Sequence, residues 1–94
     1  MQYHSVYKVP HGKLLKISVE YNEKNSVITE IRIMGDFFAY PEEAIELMED
    51  KLKNTVLQRE DLLEKIRSII KKHNIQFIGV DAEGLTDGIL MCKP

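Results

Sequence analysis

Lys13-Leu14-Leu15-Lys16-Ile17-Ser18-Val19-Glu20-Tyr21, then Asn22-Glu23-Lys24-Asn25-Ser26, then Val27-Ile28-Thr29-Glu30-Ile31-Arg32-Ile33-Met34: this stretch decides the fold. Leu15, Ile17, Val19 and Tyr21 alternate with Lys16, Ser18 and Glu20, the period of two that buries one face of a sheet. The second run alternates in the same way, with Ile31 and Ile33 opposed by Glu30 and Arg32. The residues between the runs are polar turn formers. Two alternating runs joined by a short polar loop predict an antiparallel β-hairpin.

Downstream of the hairpin the period changes. Pro41 opens Pro41-Glu42-Glu43-Ala44-Ile45-Glu46-Leu47-Met48-Glu49-Asp50-Lys51-Leu52, where proline suits a first helical position and the acidic pair suits the positive end of the dipole. Ala44, Ile45, Met48 and Leu52 fall on one stripe of that helix. A second helix is predicted over Arg59 to His73, with Leu62, Leu63, Ile66, Ile69 and Ile70 on one face. Lys71, Lys72 and His73 carry the charge preferred at its C-terminus, and Asn74 stops it. In the tail, Asp81 reads as the cap of a short helix carrying Leu85, Ile89 and Cys92. Gly84 and Gly88 weaken that helix by about 1 kcal/mol each relative to Ala, yet their spacing puts both on one face, where close packing is possible. A final strand from Gly88 to Cys92 is the competing reading. Residues 1–94 read as one α+β domain, an N-terminal antiparallel hairpin packed by two to three following helices.

Composition narrows the function. With 94 residues the chain makes one small domain that hides about 60 to 65% of its unfolded surface, so a partner covering apolar area would add stability. Hydrophobic residues at 44% and charged residues at 30% give a globular balance rather than a disordered one. Thirteen Lys and Arg against fifteen Asp and Glu leave a net charge of −2, which argues against nucleic acid as the main ligand. No apolar run approaches the roughly 20 residues of a membrane span. The segment from Met1 to Lys8 is polar and lacks the apolar centre of a signal peptide, so the cytoplasm is the expected compartment.

Catalysis needs groups that converge. Here His4 lies near a terminus, His11 in a loop before the first strand and His73 at a helix end, where the dipole alone explains it. The one cysteine, Cys92, cannot make an internal disulfide or a CxxC pair. Metal spacings of the HxxxH or CxxC type, a Walker sequence and GxGxxG are all missing from the sequence. No catalytic and no metal-ligating residue is expected, and the chain suits a binding module better than a stand-alone catalyst.

One segment asks for more than packing. Gly35-Asp36-Phe37-Phe38-Ala39-Tyr40-Pro41 gathers three aromatic residues directly after a strand and before a helix. Gly35 permits a bend, and Asp36 suits a turn. Adjacent residues on an extended segment point in opposite directions, so if one phenylalanine enters the core the other faces outward or needs a second layer. An exposed aromatic beside an acid is a reasonable interface anchor.

The run from Val9-Pro10-His11-Gly12-Lys13-Leu14 through the hairpin to Gly35-Asp36-Phe37-Phe38-Ala39-Tyr40-Pro41-Glu42 resembles the C-terminal accessory domain of lipoate–protein ligases. That domain opens its first strand with Gly-Lys, ends a strand in Gly-Asp-Phe-Phe, and closes with a short helix after Gly-Val, here Gly79-Val80 ahead of Asp81. Where family members often place Gly after the first helix, this chain has Asn54, which also tolerates the left-handed conformation.

The resemblance implies a SufE/NifU-like α+β fold and a non-catalytic accessory subunit of a two-part, archaeal-type ligase, forming a heterodimer with a large catalytic subunit. A chain of this length starting at its own Met1 fits the split form. It implies that ATP, Mg and lipoate are bound by the catalytic partner, with no cofactor on this chain. Lipoyl-acceptor domains would be met only indirectly, and neither nucleic acid nor membrane is an expected partner. Gly35 would allow the bend, and Asp36 would orient the loop or meet a donor on the partner. Phe37, Phe38 and Tyr40 would supply core and interface surface, and Lys13 could approach the partner or a phosphate, or be an ordinary solvated lysine. The alternatives are a stand-alone regulatory or scaffold module of SufE/NifU-like fold, or a sulfur-transfer protein, for which Cys92 stands late and alone.

Overall fold

The computed structural model describes residues 2–10 and 12–92, so His11 lies outside the described residues. The predicted hairpin is present as β2 (Leu14–Asn22) and β3 (Val27–Gly35), paired antiparallel with Ile17 opposite Ile33 and Val19 opposite Ile31. Leu15, Ile17, Val19, Ile31 and Ile33 are all buried, which is what the alternation requires. The polar connection is held by Asn22 and Asn25, whose side-chain oxygens accept from the N–H groups of Lys24 and Val27 at 2.9 and 3.1 Å.

The hairpin is extended by a strand that the sequence pattern did not announce. β1 (Gln2–Lys8) pairs antiparallel with β2 and makes a three-stranded sheet of order β1-β2-β3. Its inward positions are Tyr3, Ser5 and Tyr7, only half-buried, so the segment carries no aliphatic alternation. Tyr3 stacks on Tyr21 with ring centroids 5.0 Å apart and donates its hydroxyl to Glu23 at 2.7 Å.

Three helices cover the inner face. α1 (Ala44–Leu52) packs on β3 through Ala44, Met48 and Leu52, which are fully buried, while Ile45 is half-buried. The helix begins three residues later than the proline rule suggests. Pro41 follows a cis peptide from Tyr40 and sits in a turn, its carbonyl accepting from the Ala44 N–H at 2.9 Å. α2 (Arg59–His73) has the expected bounds, burying Leu62, Ile66 and Ile69 against its neighbours, with Leu63 and Ile70 at the margin. Asn74 caps it in the left-handed conformation (φ 53°), and Asn54 takes the same region (φ 71°) after α1.

The tail is helical. α3 (Ala82–Leu90) is capped by Asp81, whose side chain accepts from the Gly84 N–H at 2.7 Å. Gly84 and Gly88 do face the sheet: a Cβ on Gly88 would lie 2.9 Å from the Ile17 side chain, and one on Gly84 equally close to Val9. The helix therefore packs nearer to β1 and β2 than any larger residue allows. Ser5 seals this contact by donating to the Gly88 carbonyl at 2.8 Å, and the Cys92 thiol donates to the Ser5 hydroxyl at 3.3 Å.

The outer edge of β3 is covered. Ile28 donates to Thr55 and accepts from Asn54, and the Ile33 N–H is taken by the Glu49 carboxylate at 2.7 Å. A strand edge left unpaired would invite other chains, and here the α1–α2 connection occupies it.

Candidate interaction surface

The Gly-Asp-Phe-Phe element leads out of β3 into a second, two-stranded sheet. β4 (Phe38–Tyr40) pairs antiparallel with β5 (Gln76–Ile78), placing Phe38 opposite Ile78, Ala39 opposite Phe77 and Tyr40 opposite Gln76. Strand alternation then divides the ribbon. Phe37, Ala39 and Phe77 turn inward, with the two rings edge-to-face at 6.1 Å. Phe38, Tyr40 and Ile78 turn outward and are 63, 53 and 49% exposed. The expectation that one phenylalanine packs while the other faces out is met, Phe37 inward and Phe38 outward. Burying one such side chain is worth about 1.5–3 kcal/mol, so leaving these on one face of a small ribbon forgoes several.

Two glycines fix how the ribbon leaves the main sheet. Gly35 stands opposite Leu15, and a Cβ there would collide with the Leu14 carbonyl oxygen. Gly79, after β5, has φ +96°, and its Cβ would lie 2.6 Å from the Lys13 side chain. The Gly79 carbonyl accepts from the Lys13 N–H at 2.9 Å, and the Leu14 carbonyl accepts from the Asp36 N–H at 3.1 Å. The start of β2 is thus stitched on one side to the end of β3 and on the other to the end of β5.

This places the remaining predicted residues. Lys13 joins the assembly through its backbone, while its side chain is exposed beside Gly79. Asp36 ties the turn through its N–H, and its exposed carboxylate makes no hydrogen bond among the described residues. With the exposed Glu42 and Glu43 beyond Tyr40, Asp36 gives the aromatic face an acidic margin. Sequence reasoning missed Ile78 and Phe77. The short β-prone run Ile75-Gln76-Phe77-Ile78 before Gly79 was their only signal.

The titratable groups do not gather. His4 lies exposed on β1 and His73 ends α2. Among the described residues, no group of three or more His, Cys, Asp or Glu is placed to hold a metal. Cys92 is buried, and burial pushes its thiol pKa up, partly opposed by the hydrogen bond to Ser5. A groove of about 490 Å³ beside α2 is lined by residues of mixed charge, including Lys53, Asp61, Glu64 and Lys65, away from the ribbon. No described helix is long and apolar enough to cross a membrane.

The family of this α+β module, with its aromatic face held out on a glycine joint, follows from comparison. The bacterial lipoate protein ligase C-terminus matches residues 4–89, and the chain belongs to that family. It is also similar to a chain in the structure of an archaeal lipoylation system from Thermoplasma acidophilum, described as a bipartite lipoate protein ligase and its E2 lipoyl domain. The TM-score is 0.79 at 26% identity, over 95% of this chain and 94% of that one. No curated protein matches the chain. Family and structural likeness together support an accessory role in lipoylation.

Proposed function

We propose that this chain is the non-catalytic small subunit of a two-part lipoate–protein ligase and enables the ATP-dependent activation of lipoate to lipoyl-adenylate by a large catalytic subunit. The observation that carries this reading is the exposed face of Phe38, Tyr40 and Ile78, in a chain that matches the ligase C-terminal family over nearly its whole length. Three large apolar groups on one rigid ribbon form an anchor of the kind that dominates binding energy at interfaces. Asp36 stands beside them with an unused carboxylate, suited to a donor on the partner.

Coupling to activation is a linkage effect. If the ribbon binds the adenylation-competent conformation of the large subunit better than its alternative, that conformation is populated by the difference in affinity. The large subunit supplies the ATP, Mg and lipoate sites, and this chain supplies the bias. The activated lipoyl group then passes to a lysine of an acceptor lipoyl domain, the third component of such a system.

The test is to combine the chain with its large subunit and measure lipoate- and ATP-dependent pyrophosphate release, each component alone serving as control. Release confined to the mixture is expected. Equal release by the large subunit alone would move a regulatory or scaffold role to first place.

A further inference from the structure

The two edges of the three-stranded sheet differ. The α1–α2 connection covers the outer edge of β3, whereas among the described residues nothing pairs with the free side of β1. Two hydrogen bonds show which backbone groups stand there. The Val9 N–H donates to the Lys13 carbonyl at 3.0 Å, continuing the β1–β2 ladder, so the odd-numbered residues of β1 turn their backbone groups toward β2. The Leu14 carbonyl accepts from Asp36 on the β3 side, as the same alternation requires. The N–H and C=O groups of Gln2, His4, Val6 and Lys8 therefore point away from the sheet. β1 runs seven residues without a proline or a shift of register, and its one lysine, Lys8, stands at the end. Edges of this length are ordinarily blunted by Lys, Asp or Glu, by a bulge or by proline, and β1 has none of these between Tyr3 and Tyr7.

We propose that β1 pairs antiparallel with β1 of a second copy of this chain across a two-fold axis, joining two three-stranded sheets into one of six. Self-complementarity selects the occupant. Centred on Ser5, the pairing engages the whole strand: Gln2 faces Lys8 of the other copy and His4 faces Val6 as hydrogen-bonded pairs, with Tyr3 facing Tyr7. No like charges stand directly opposite. On the outer face, the rank Gln2–Glu20–Glu30 of one copy meets Lys8 of the other. That sets Lys8 two strand spacings, about 10 Å, from Glu20 of the other copy, within reach of the two long side chains. The same match occurs twice by symmetry, while Lys16 and Arg32 of different copies stay four strands apart. On the inner face the half-buried Tyr3 and Tyr7 each gain an aromatic partner across the new ladder. The inference goes beyond the ligase reading and stands without it. No ribbon residue takes part, so a paired chain keeps Phe38, Tyr40 and Ile78 for the large subunit, in an assembly of two small and two large chains.

Sedimentation equilibrium of the chain alone, over a concentration series, tests the pairing. A dimer of twice the chain mass is expected, and a monomer throughout would overturn the proposal. Val6→Lys sets a lysine at the centre of the edge, opposite His4 of the other copy, and should weaken self-association about tenfold or more. Adding His4→Glu places a carboxylate opposite each new lysine and should recover most of that loss. Unchanged association in the single variant, or no recovery in the double one, would refute the pairing and its register. Both positions are exposed, so circular dichroism should show the fold of each variant intact. Hydrogen exchange of the wild-type chain supplies a measurement that needs no variant. The His4, Val6 and Lys8 amides point into solvent in the single chain and should exchange slowly in the dimer. Rapid exchange of these amides in a dimer would overturn the pairing. A dimer abolished by Phe38→Ala and untouched by Val6→Lys would do the same, placing the contact on the ribbon.

Discussion

The β4–β5 ribbon and the outer face of the β1–β2–β3 sheet both leave large apolar side chains in water, and they are built in different ways. On the ribbon the groups are Phe38, Tyr40 and Ile78, carried by strands of three residues each and bordered by Asp36, Glu42 and Glu43. On the sheet they are Val6 and Met34, set in long strands among Lys8, Lys16 and Arg32. The sheet face is rigid because its inner side is the core. The ribbon is backed only by the half-buried Phe37, Ala39 and Phe77, and is tied to the sheet by the joint among Lys13, Leu14, Gly35 and Gly79. One surface is therefore held by a full core behind it, the other by a thin inner layer and by backbone geometry at two glycines.

That difference predicts where substitution hurts most. Gly35→Ala forces a Cβ onto the Leu14 carbonyl oxygen and should cost about 2–4 kcal/mol in urea unfolding, with loss of binding to the large subunit. A cost below about 0.5 kcal/mol would mean that the joint is slack. Phe38→Ala works the other way. Its ring is mostly in water, so unfolding should shift by less than about 0.5 kcal/mol, while affinity for the large subunit falls about tenfold or more. Calorimetric titration of the two proteins reads this directly, and unchanged affinity would remove the ribbon from the interface.

The smallest effect lies on the sheet's inner side, at the hydrogen bond from Tyr3 to Glu23. That bond, with burial and the nearby carboxylate charge, pushes the Tyr3 phenol from 10.0 up to about 12. Because the folded value is raised, the contribution is fully present below pH 10 and fades as pH rises through about 12. An ultraviolet titration should show the Tyr3 phenol ionising late, and Glu23→Gln should move its transition to lower pH.

How much of this the sequence disclosed follows the same division. Leu15, Ile17, Val19, Ile31 and Ile33 announce the hairpin because each strand is long enough to repeat its period, and α2 is equally plain from its apolar stripe and charged ends. β1 was hidden because Tyr3, Ser5 and Tyr7 fill inward positions without aliphatic alternation. The ribbon was hidden because three residues establish no period, and its strands pair across the whole of α1 and α2. Pro41 misplaced the start of α1, since the residue suits a turn as well as a first helical position. At the candidate site, Gly35 and the opposed directions of Phe37 and Phe38 were readable from local rules. The sequence marks Lys13 for its ammonium, whereas in the fold its N–H ties β2 to Gly79, a role its side chain does not reveal. Ile78 could be placed beside Phe38 only by the fold.

The most direct test of the account is pyrophosphate release by the large subunit, with lipoate and ATP saturating, as the small chain is titrated in. A saturable rise from near zero, displaced to higher concentration by Phe38→Ala, is the predicted result. Full release by the large subunit alone, unaltered across the titration, would contradict it.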